Sequence, residues 1–138
     1  MMPMTTVTDG AAPNAWLDDA RRRIGPVAEI VAHLAVIGPG GRLGDGDTAG
    51  LVDRLAAACA ACEVWLHTAP APEGLLASAA ELGAAAEVLR HAAWLLSSLP
   101  TDDPVRRAAR MTTADVLLAQ GGDHLERFHV LAAVDVSV

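Results

Sequence analysis

The chain has no lysine and no tyrosine, a single phenylalanine, and only two cysteines and three tryptophans in 138 residues. Each shortage excludes something. With aromatics at 3% and isoleucine scarce, little is available to build the β-branched and aromatic faces that sheets favour. Two cysteines, behind a start (Met1–Thr8) that lacks a basic and then apolar leader, argue for reduced thiols rather than a disulfide scaffold. No long window is free of charge, because the most apolar stretches contain Glu63, Glu81, Glu87 and Arg90, which are costly in a bilayer. Basic residues are outnumbered ten to seventeen, and the net charge of −7 repels phosphate backbones at long range. A soluble cytoplasmic protein with neither a membrane nor a nucleic-acid partner is expected.

What remains is a chain 52% apolar, rich in the strong helix formers alanine, leucine and arginine. Its length suits one domain burying roughly two-thirds of its unfolded surface. The expected class is all-α: an antiparallel bundle of four main helices plus a short C-terminal helix, arranged around a central apolar helix at 73–99. In that helix Leu75, Ala79, Leu82, Ala86, Leu89, Ala93 and Leu96 form one stripe, while Ala77, Ala84, Val88 and Leu95 make the opposite side apolar too. A helix apolar all round is either central to its domain or shared with a partner chain.

Residues 1–13 show no period and are expected to be disordered, leaving 14–138 as the bundle domain. The first helix, capped by Asn14, buries Leu17, Ala20, Ile24, Val27, Val31 and Leu34, with a kink or break expected at Gly25-Pro26. Gly38 to Asp47 reads as a connector. It lacks the lysine of a phosphate loop, and Ala49 and Ala56 stand where a calcium loop needs oxygen ligands. The second helix, about 48–67, turns Leu51, Leu55, Ala58, Cys59, Cys62, Trp65 and Leu66 to one side. Asp103 followed by Pro104 is a helix start, and the fourth helix carries a row Val105, Ala109, Thr112, Val116 and Ala119. Gly121-Gly122 is expected to stop it. Asp123 and Glu126 then resemble a capping box for the short last helix, to about Ala133.

No cofactor motif and no nucleophile–base motif is present. Glu29/His33, Glu63/His67, Glu87/His91 and Glu126/His129 have the spacing seen in dimetal bundles, but His33 and His67 fall away from the apolar stripes of their own helices. Arg21–Arg23 and Arg106, Arg107 and Arg110 read as solvated helix faces offset by nearby aspartates. Arg90 lies close to the apolar stripe, where it either snorkels to the domain end or is held by a buried carboxylate, Asp115 and Asp123 being the candidates. The leading functional expectation is action by protein–protein contact, most simply as a homodimer. The alternative is a small-molecule-binding or catalytic bundle, its pocket polar groups being Arg90, Thr112, Gln120 and Asp123. A metal-binding bundle built on the Glu/His pairs is the third.

Overall fold

The computed structural model describes residues 2–37 and 46–137, with side chains described over 14–35 and 50–133. Residues 38–45, most of the expected connector, lie outside the described residues, while Asn14, expected as a cap, is interior to the first helix, and Gly46 and Asp47 belong to the second. Four helices follow in order: α1 (Met2–Ile37), α2 (Gly46–Thr68), α3 (Leu76–Ser97) and α4 (Pro104–Ser137). A 3-10 turn at Glu73–Leu75 leads into α3, and the described residues contain no strand.

Side-chain contacts fix the directions. Trp16 donates to the Ala69 carbonyl and Cys62 to that of Arg23, so α2 runs back along α1. Glu63 pairs with Arg90 and Leu66 approaches Gly83, so α3 is antiparallel to α2. Arg110 meets Ser98, Gly121 meets Leu89, and Arg127 meets Glu81, so α4 is antiparallel to α3. Helix α1 also touches α4, which closes the ring of an antiparallel four-helix bundle.

The core forms where the apolar periods converge. Leu17, Ala20, Ile24, Val27, Ile30 and Leu34 of α1 meet Val52, Leu55, Cys59, Cys62 and Trp65 of α2 and the α3 row Leu82, Ala86, Leu89 and Ala93. Trp16 stacks on Trp65 at 5.2 Å between ring centres, and the Arg23 guanidinium lies 5.3 Å from the centre of the Trp65 ring. Helix α3 is central as expected, because α2 flanks it on one side and α4 on the other. That explains its second apolar side: Leu95 is only 8% exposed and Val88 half-buried within the single chain.

Three local expectations are corrected. First, α1 does not break at Gly25-Pro26. Pro26 is exposed, as is Arg22, whose carbonyl loses its helical donor and is left to water, while Ile24 and Val27 on either side bury in the core. Second, α4 continues through Gly121-Gly122, so the short C-terminal helix is its second half and Asp123 and Glu126 are interior residues. The glycine serves packing: a Cβ on buried Gly121 would stand 2.3 Å from Leu89 Cδ2, so only glycine lets α4 approach α3 this closely. Third, the row Val105, Ala109, Thr112, Val116 and Ala119 faces outward, and the buried row is Met111, Ala114, Gly121, Leu125, Phe128 and Ala132.

The start of α4 is as expected. The Arg106 backbone N–H donates to Asp103 Oδ1 at 3.1 Å, an N-cap bond, with Pro104 opening the helix. Arg107 and Arg110 reach back to the carbonyls of Pro100 and Ser98, satisfying acceptors left open past the end of α3. Arg21 and Arg22 pair with Asp18 and Asp19 one turn earlier. Most of the two arginine clusters thus has local structural work. Among the described residues no helix is long and apolar enough to cross a membrane.

Candidate functional site

Three surfaces carry the chemistry, and α3 and α4 build them. The first is an open groove of about 590 Å³. Val52, Asp53 and Ala56 of α2 line it, with Glu87, Val88, Arg90, His91, Ala93, Trp94 and Ser97 of α3, and Leu117 of α4. Trp94 is 57% exposed, and its ring centre is 6.2 Å from that of His91. A large ring held this far out of the core, on a concave surface, is available to a ligand.

Arg90 belongs to this groove but not to the interior. Its Nε donates to Glu63 Oε1 at 2.9 Å, and about half of its side chain is exposed. The expected partners Asp115 and Asp123 are on α4, beyond the far flank of α3. The Glu63 hydrogen bond and charge hold the Arg90 guanidinium above its ordinary pKa, with Glu87 adding a weaker field. Arg90 therefore sits in a compensated pair, and the near-core position read from the wheel is the α2-facing flank of α3.

The second surface is a clamp between α3 and α4. His124 Nδ1 lies 2.6 Å and Arg127 Nε 3.3 Å from the same Glu81 oxygen, Oε2. Arg127 Nη2 is also 3.0 Å from His124 Nδ1, but one ring nitrogen does not both donate and accept. An ionised Glu81 carboxylate only accepts, so His124 Nδ1–H is the donor, and this hydrogen bond is the chief cause that pushes the Glu81 carboxyl below its ordinary value. Arg127 then adds its Nε–H to the same carboxylate. Asp123, Glu126, Arg127, Val130 and Leu131 extend this clamp into a shallow concavity of about 470 Å³.

The third surface is the outer side of α4. Val105 is 78%, Val116 50% and Val130 58% exposed. Together with the exposed Ala109, Thr112, Ala119, Asp123 and Glu126 they recur at alternating steps of four and three, the period of a coiled-coil seam. Opposite this row lies the buried one, so α4 has two faces, and its own bundle covers only one.

The expected pocket residues are thus separated. Thr112 and Asp123 share the outer row of α4, Thr112 spending its hydroxyl on the Ala108 carbonyl at 3.0 Å. Gln120 is exposed beside them, and Arg90 is across α3. Trp94, Asp53 and Glu81 were missed by sequence reasoning; Trp94 alone carried a signal, as a tryptophan outside the apolar stripe. The Glu/His pairs do not converge: His33, His67, His91 and His129 are all exposed. Among the described residues no group of three or more His, Cys, Asp or Glu side chains comes together. Burial pushes the Cys59 thiol up to about 12, with Cys62 the next cause, and burial also raises Cys62 against an opposing Arg23. Both are protonated core residues, poor as nucleophiles or metal ligands.

Compared with known protein families, with characterised proteins and with solved structures, the chain shows no significant match to any of them.

Proposed function

We propose that this protein is an acidic cytoplasmic helical bundle that works by pairing with a second copy of itself through the outer row of α4. One observation carries this reading: a row from Val105 to Ala119 that is apolar but for Thr112 and keeps seam spacing is exposed, while the same helix already has a complete inward row. Charge favours a second copy over an unrelated chain. In the first half of α4 Arg106 is the exposed basic residue, Arg107 and Arg110 being half-buried on the carbonyls of Pro100 and Ser98, and the outer row of the second half carries Asp123 and Glu126. Two such helices laid antiparallel about a two-fold axis set Arg106 of each beside Asp123 and Glu126 of the other, the self-complementarity that an isologous interface requires.

Sedimentation across micromolar concentrations tests it. The expected result is a reversible dimer that weakens as salt rises, because exposed charges are screened. Val116→Glu, at an exposed position, should leave the helical signal unchanged and give a monomer whose melting temperature no longer depends on concentration. A wild-type chain that stays monomeric throughout, or a dimer indifferent to Val116→Glu, overturns the proposal.

A further inference from the structure

We infer that the groove along α3 is a binding site for a small organic cation bearing a guanidinium or ammonium group. This goes beyond self-pairing and uses a different surface, since its lining comes chiefly from α2 and α3. Its volume, about 590 Å³, falls in the range of roughly 300–1,000 Å³ typical of small-molecule sites. Three features set the ligand class. The Trp94 ring is more than half exposed on the groove wall, and an indole face is the best aromatic partner for a cation. Asp53 and Glu87 line the same groove, are exposed, and make no ion pair among the described residues. Arg90, the one permanent cation of the lining, is paired with Glu63 outside the lining and feels Glu87 only more weakly, so three carboxylates stand against one guanidinium around the groove. The groove therefore presents a net negative, aromatic-walled hollow with an apolar floor at Val52, Ala56 and Ala93. The overall charge of −7 concentrates cations around it. The anion that an unpaired Arg90 would attract is disfavoured on the same grounds.

Tryptophan emission reads the binding directly, because Trp16 and Trp65 are buried and Trp94 is not. Agmatine is titrated into the full chain at constant ionic strength, with sodium chloride and sodium phosphate as controls. A saturable change in Trp94 emission with agmatine alone is the expected result, accompanied by backbone amide shifts confined to the groove residues. Asp53→Asn and Glu87→Gln should each weaken binding about 2- to 5-fold, as for one exposed charge contact. Trp94→Leu, followed by the amide shifts, should weaken it about 2- to 5-fold as well. All three side chains are exposed, and unchanged melting temperatures would confirm intact folds. An equal response to sodium chloride, saturation by phosphate, no saturation by agmatine, or variants that bind as wild type would each overturn the inference. Dimerisation is measured separately by sedimentation, so loss of one proposal leaves the other standing.

Discussion

The two flanks of α3 meet their neighbours in opposite ways. On the α4 side a Cβ at Gly121 would stand 2.3 Å from Leu89 Cδ2, and Leu89 is fully buried there. On the α2 side a Cβ at Gly83 would stand 3.8 Å from Leu66 Cδ1, an ordinary contact, and further along come Arg90, Trp94 and the open groove. Both flanks carry a charged link: Glu81 with His124 and Arg127 on one, Glu63 with Arg90 on the other. The ion pairs therefore do not decide which seam closes. Nor does residue size alone, since each crossing sets a glycine against a leucine; only at Gly121 does the leucine fill the space a Cβ would take, and dispersion and burial reward that close approach.

That contrast can be broken by substitution. The largest effect is expected at Leu89, which fills the closed seam: Leu89→Ala should cost about 2–5 kcal/mol in urea unfolding. A loss below about 1 kcal/mol would mean the seam is loosely packed. On the other flank Gly83→Ala should stabilise the fold by up to about 1 kcal/mol, since helix propensity is gained with no clash. Destabilisation there would show that the α2 seam is tighter than its contacts imply.

The smallest effect concerns the clamp. Because the Glu81 carboxyl is held below its ordinary value of 4.5, first by His124 and then by Arg127, its contribution to stability is complete above that value. It is lost as pH falls through the lowered folded value. Melting temperatures of wild type and Glu81→Gln, followed downward from neutral pH, should differ most at neutral pH and converge in acid. A constant gap would remove Glu81 from the acid response.

Much of this architecture was legible in the sequence, and the exceptions on α4 share one cause. The α1, α2 and α3 stripes were readable because leucines, isoleucine and valines mark them: Leu17, Ile24, Leu55, Leu82 and Leu89 are all buried. On α4 the inward row includes Ala114, Gly121 and Ala132, small residues with little hydrophobic signal, while the more conspicuous Val105 and Val116 point out. Reading Gly121-Gly122 as a stop cut the inward row in two and concealed Leu125 and Phe128 as its continuation. Glycine has two uses, ending helices and letting them touch, and sequence alone does not say which applies. Arg90 was identified as unusual, but its partner Glu63 is 27 residues away on α2, a pairing that depends on helix register. The groove was not legible at all, since it arises from which side chains α2 and α3 fail to interlock.

The adjacent glycines of α4 offer the sharpest comparison, because they differ only in what they face. Gly121 abuts Leu89, and nothing lies within 4 Å of a Cβ on Gly122. Urea unfolding of Gly121→Ala and Gly122→Ala, side by side, should give opposite signs. Overpacking against Leu89 should destabilise the first by about 1–2 kcal/mol net of its gain in helix propensity, and the second should be stabilised by about 0.5–1 kcal/mol. Adding Leu89→Ala should relieve the first penalty, so that the double variant loses less than the two single losses combined. If instead both alanines stabilise the fold alike, or both destabilise it alike, close approach at Gly121 is not what joins α4 to α3.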